Sequence, residues 1–166
     1  MTFSSKAEYG VRLMVELGRQ EGDQPMSLKA IAAAEDLPLS YLEHVVASLK
    51  RAGLVASSRG AHGGYRLARP AEEIAMDEVV LALEGSIAPM ECFTSVPPGR
   101  VACSHEGDRA QTCSTKLLWM RVQGGIIRAL QGTTLAELVE FSRCSDPLPA
   151  AADAPLATAL PVVQAG

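Results

Sequence analysis

Cys92, Cys103 and Cys113 stand in a polar stretch rich in proline and glycine, with ten residues between the first pair and nine between the second. Thiolates are soft ligands, and three of them on one short segment suit iron–sulfur or zinc chemistry better than catalysis. Structural zinc takes four closed ligands in tight pairs such as C-x-x-C, and these spacings lack such pairs. A thiol–disulfide switch is the other reading of the same side chains. No nucleophile, base and orienting group form a motif around any cysteine, His62 or His105, so an enzyme is not expected. Cys144 follows the last helical pattern and reads as a spare thiol.

The flanking segments must position these thiols. Between Ser5 and Gly18, the apolar residues Tyr9, Val11, Leu13, Met14 and Leu17 recur at helical spacing, with Gly18 and Gly22 as stops. Ser27 is placed to cap a short helix carrying Leu28, Ile31 and Ala32, and residues 35–38 supply a turn. Ser40 followed by Glu43 has capping-box spacing, and Tyr41, Leu42, Val45, Val46 and Leu49 continue an amphipathic run that stops at Gly53. Two short helices joined by a brief turn form a helix-turn-helix pattern. Beyond Gly53, the β-prone pieces around Leu54–Val55 and Tyr65–Leu67 flank a glycine-rich tip, which predicts a two-stranded wing. Arg59, His62, Arg66 and Arg69 bring cationic or polar groups to it, suited to phosphate contact or groove insertion. Lys50 and Arg66 read equally well as solvated surface charges.

Residues 77–84 predict a short helix. Thr115 to Leu130 then carries Leu117, Leu118, Met120, Val122, Ile126, Ile127 and Leu130, more apolar positions than a small core absorbs, which predicts a dimer interface. Thr134 and Glu137 repeat the capping-box spacing before a last short helix, and the Ala/Pro-rich remainder is expected to be disordered. The expected fold is mainly α: a winged helix-turn-helix DNA-binding domain with a two-stranded wing and a long dimerisation helix. Its parts are residues 1–84 for DNA binding, 85–114 for the cysteine-bearing loop, 115–143 for the dimerisation and terminal helices, and 144–166 for the tail.

Composition bounds the same picture. With 166 residues and 48% hydrophobic content, one core plus an extension is the expectation. Residues 1–70 hold nine Lys/Arg against seven Asp/Glu, and residues 71–166 hold six against twelve, so the basic excess lies on the helix-turn-helix side. No apolar run approaches the roughly 18 residues of a membrane span, and the N-terminus lacks the apolar region of a signal peptide. A cytoplasmic protein is expected, without membrane partner or small-molecule substrate, in a compartment where thiols stay reduced.

The stretches SSKAEYGVRLM at 4–14, LSYLEHVVASLKRAGLVASSRGAHGGYRL at 39–67, IAMDEVVLALEG at 74–85 and TTLAELV at 133–139 carry a resemblance. Together with the three cysteines, the chain over residues 1–143 resembles the winged-helix iron–sulfur transcription regulators of the IscR/NsrR/RirA type. The resemblance implies a homodimer on a palindromic double-stranded DNA operator. It also implies an iron–sulfur cluster, 2Fe-2S or 4Fe-4S, whose presence or redox state changes DNA affinity in response to cluster, iron, nitric oxide or redox status.

Carried onto this sequence, the resemblance places operator contacts at Ser40, Tyr41, Glu43 and His44, with Arg59 and Gly60 in the wing. His44 replaces the glutamine of the IscR pattern, so operator identity does not carry over. Cluster ligands fall on Cys92, Cys103 and Cys113, spaced more widely than in the IscR loop. Lys116 stands where that pattern has a ligating histidine, and a protonated amine is a poor ligand. The fourth ligand is then Glu8 of the partner subunit, matching an acidic position of NsrR-type regulators, or His105; Glu106 and Asp108 are weaker candidates.

Overall fold

The computed structural model describes residues 3–20, 22, 24–60, 63–89 and 114–144. Among the described residues, six α-helices and one hairpin make up the fold. Helix α1 (Ser5–Gly18) matches its sequence pattern end to end, and α2 (Leu28–Glu35) starts where Ser27 accepts the Ala30 amide at 3.1 Å. That bond satisfies one of the amides a helix start leaves without a partner.

Helix α3 (Leu39–Arg51) departs from expectation at its start. Pro38 is its N-cap, with φ −64, and its carbonyl accepts both the Tyr41 and Leu42 amides at 3.1 Å. The fixed proline φ pre-sets the entry, so the helix opens before Ser40 and the Ser40–Glu43 capping box is not formed. Leu42, Val45, Val46 and Leu49 all face the core, at 0–3% exposure.

Strands β1 (Val55–Ser58) and β2 (Gly64–Leu67) pair antiparallel, with Val55 opposite Leu67 and Ser58 opposite Gly64. A third short segment joins them: Met26 and Tyr65 exchange both backbone hydrogen bonds, at 2.9 and 2.8 Å. This approach requires glycine at 64, because a Cβ there would lie 2.4 Å from the Met26 carbonyl oxygen. Gly64→Ala is therefore expected to cost about 1–3 kcal/mol and to free the wing from the α1–α2 connection. Chemical denaturation, with amide exchange at Met26 and Tyr65, measures both effects.

A 3-10 turn (Ala71–Glu73) leads into α4 (Met76–Glu84), followed by α5 (Ser114–Gln131) and α6 (Leu135–Arg143). Thr134 and Glu137 form the reciprocal capping box read from their spacing, at 3.0 and 3.3 Å. Helix α6 closes the core. Leu135 is sealed at 0% exposure and Val139 at 6%, in one cluster with Leu13, Leu17, Leu42, Val45 and Ile74. Two backbone bonds fix its entry, from Met76 to the Thr133 carbonyl at 3.0 Å and from Leu135 to the Ile74 carbonyl at 2.9 Å.

Among the described residues, no helix is long and apolar enough to cross a membrane. The expectations for His62, for residues 90–113 with Cys92, Cys103, Cys113, His105, Glu106 and Asp108, and for the tail from 145 onward lie outside the described residues.

Candidate nucleic-acid interface

With its core face buried, α3 turns Ser40, Glu43, His44 and Ala47 outward, all exposed and separated by helical steps of three and four. Released from capping, Glu43 has its carboxylate on this exposed face. Tyr41 differs from its neighbours. It is half-buried, and its ring meets that of Tyr9 edge-on, with centroids 5.3 Å apart and planes at 79°. Much of its role is to seat the start of α3 against α1.

The wing is held to the same helix. Lys50 donates from Nζ to Ser57 Oγ at 2.6 Å, joining the last turn of α3 to β1. The lysine is exposed, as a surface charge would be, and this bond ties it to the wing. Arg59 follows β1 and is exposed. At the tip, Gly60 adopts φ +115 and its carbonyl accepts the Gly63 amide at 2.9 Å. A side chain at 60 would be strained in that conformation, and one at 63 would put a Cβ 2.5 Å from the Ser58 carbonyl oxygen.

Arg69 has partners within the fold. Its sequence position puts it at the end of the wing, yet its guanidinium pairs with the Glu78 carboxylate and donates to the Glu73 carbonyl at 2.9 Å. It staples the base of β2 to α4. The pair lies at the surface, with the Arg69 side chain 34% exposed and that of Glu78 42%.

Glu8, the ligand candidate that the structure describes, stands exposed in the first turn of α1. Among the described residues, no three His, Cys, Asp or Glu side chains gather as a metal site. The α1 start is pinned to the end of α4: Ser4 donates its amide to Glu84 Oε1 at 3.0 Å, and Lys6 donates to the Leu83 carbonyl at 2.8 Å. Near the entry to the cysteine stretch, Gln123 of α5 donates to the Ile87 carbonyl at 2.7 Å. Sequence reasoning missed these ties and the pairing of Arg12 with Glu35, because partners far apart along the chain leave no local spacing to read.

A family model described as Rrf2, iron-dependent transcriptional regulator, matches residues 3–141. The HTH-type transcriptional regulator CymR of Bacillus subtilis (strain 168) is 34% identical over 142 residues, covering 86% of this chain and 92% of its own length. IscR of Serratia proteamaculans (strain 568) is 37% identical over 139 residues, covering 84% and 79%. The solved structure of CymR, described as the global cysteine regulator of B. subtilis, superposes with a TM-score of 0.66 at 33% identity, over 85% of this chain and 98% of that one. The oxidised form of Staphylococcus aureus CymR gives 0.63 at 37% identity, over 84% and 97%. Helix-turn-helix, paired wing, long α5 and these matches agree, and the chain belongs to the Rrf2 family of winged-helix transcription regulators.

Proposed function

We propose that this regulator acts as a homodimer on an operator and that Cys92, Cys103 and Cys113 hold an iron–sulfur cluster that sets its DNA affinity. The observation that carries the reading is where the three thiols fall in the chain: between α4, packed into the DNA-binding core, and α5, the apolar helix. Ligation there acts on the connection between the two parts. Operator contacts are assigned to Ser40, Tyr41, Glu43 and His44 at the start of α3, and to Arg59 and Gly60 in the wing. The exposure of Ser40, Glu43, His44 and Arg59 supports that assignment.

The donor set fits such a cluster. Three thiolates supply soft ligands, and Glu8 of the partner subunit, an exposed position on α1, offers a carboxylate for the fourth position, with His105 as the alternative. When bound, the cluster would supply redox and nitric-oxide reactivity at its iron centres. The protein's part is a population shift, in which the cluster favours one spacing of the two recognition helices only by its differential affinity for that spacing.

A second reading is favoured by two relatives. S. aureus CymR has been solved in an oxidised form, and CymR of B. subtilis is described as a cysteine regulator. In that reading the same cysteines form a thiol–disulfide switch without cofactor, or close a zinc site.

An anaerobic absorption spectrum with iron and sulfide analysis separates the readings. Visible charge-transfer bands are expected from the wild type and are expected to vanish in Cys92→Ala, Cys103→Ala and Cys113→Ala. A colourless wild type that resists anaerobic reconstitution while its operator affinity changes on thiol oxidation would establish the disulfide switch instead.

A further inference from the structure

The turn of the helix-turn-helix contains a residue in an uncommon conformation. Asp36 is the only non-glycine residue with positive φ among the described residues, at +50. Left-handed backbone is disfavoured for a residue with a Cβ, although aspartate tolerates it better than most. What surrounds the turn has to hold it. On one side Leu37, 8% exposed, anchors in the core, and its amide reaches back to the Ala32 carbonyl at 2.9 Å. On the other side the Arg12 guanidinium arrives from α1. Its Nε donates to Glu35 Oε2 at 2.8 Å and its Nη2 donates to the Glu35 backbone carbonyl. A cation at the C-terminal end of α2 also meets the negative end of that helix.

We infer that Arg12 is a positioning residue for DNA recognition: its two-pronged hold on Glu35 fixes the α2–α3 turn and so aims the start of α3. Only residues 36–38 separate the end of α2 from α3, so a shift at Glu35 is passed directly to Ser40, Glu43 and His44. The pair is well placed for this, since the Glu35 side chain is 17% exposed and that of Arg12 38%. A guanidinium satisfies a carboxylate and a carbonyl together in fixed geometry, whereas an ammonium is a single point. Arg12 holds α2 from behind and makes no contact with DNA in this role. The inference rests on the operator-contact reading of α3.

The test uses a duplex that the wild-type full chain selects from a random-sequence pool, beside a scrambled duplex of equal length. Arg12→Met is expected to lower affinity for the selected duplex roughly tenfold while the scrambled duplex changes by less than about twofold. The slope of log affinity against log salt should stay at its wild-type value, because no phosphate contact is removed. Arg12→Lys should recover part of the loss. Glu35→Gln should share it, with the double variant little worse than either single change.

Unaltered selectivity in both Arg12→Met and Glu35→Gln overturns the inference. So does a loss on both duplexes with a slope lower by about one, which is the mark of a direct phosphate contact. Should Arg12→Met fail to fold, Glu35→Gln decides by the same readouts. A wild-type chain that enriches no duplex defeats the operator reading and this inference with it, whereas enrichment with unaltered variants defeats this inference alone.

Discussion

Leu135→Ala is expected to destabilise the whole folded unit by about 3 kcal/mol, inside the ~2–5 kcal/mol range for emptying a sealed leucine site. Leu135 has no exposed surface and lies in one cluster with residues of α1, α3 and α4. Its amide is held by the Ile74 carbonyl, so the backbone cannot readily collapse into the space left behind. For a protein of this size the midpoint of thermal unfolding should fall by roughly 10 °C. Phe141→Ala on the same helix removes a larger side chain, but one 42% exposed, and should cost less than about 1 kcal/mol. Thermal and urea unfolding followed by circular dichroism compares the two. A Leu135→Ala variant that loses only α6, with the remaining signal melting at the wild-type temperature, would show that α6 is an accessory to the core and not part of it.

Which elements the sequence discloses depends on the range of the interactions that fix them. The caps of α2 and α6 are set by residues within four positions of one another, and spacing alone locates them: Ser27 with Ala30, and Thr134 with Glu137. The start of α3 misleads because two local signals compete, and the fixed φ of Pro38 opens the helix ahead of the serine. Strand β1 runs on through Ser57 and Ser58, which have no marked strand preference, because pairing with Tyr65 and Gly64 decides the matter. The third segment of the sheet, at Met26, and the closure of the core by α6 join parts of the chain that only the fold brings together.

The candidate interface divides along the same line. Ser40, Glu43 and His44 were named by the resemblance, and the structure leaves all three exposed on the face of α3 opposite the buried Leu42 and Val45. What a cationic side chain does was not legible, since its partner decides. Lys50 bonds Ser57 and Arg69 pairs with Glu78, both at the surface, and Arg59 is exposed beyond β1. Tyr41 shows how one position serves both fold and contact surface, its ring packed on Tyr9 at the root of the exposed face.

Helix α5 supplies the second large expected effect. Leu117, Leu118, Met120 and Val122 are 37–56% exposed, while Gln123, Ile126, Ile127 and Leu130 are half-buried. A helix apolar on so much of its circumference requires cover on more than one side. Leu118, Val122 and Gly125 fall on one stripe, at spacings of four and three, and nothing lies within 4 Å of the site where a Gly125 Cβ would stand. A glycine inside a helix costs about 1 kcal/mol relative to alanine, and in the proposed homodimer it would admit the α5 of a second copy at close range.

The double variant Leu118→Glu, Val122→Glu is therefore expected to run as a monomer in sedimentation. Its operator affinity should fall on the order of 100-fold, because the two half-sites are no longer engaged by linked recognition helices. Helix content should hold, since both side chains already face outward. Gly125→Ala adds a sharper discrimination: it stabilises α5 in a monomer by about 1 kcal/mol and loosens a dimer whose helices meet at that stripe. A double-glutamate variant that remains a dimer with wild-type operator affinity would move the interface off this stripe, and a Gly125→Ala change that tightens the dimer would place the contact on another face of α5.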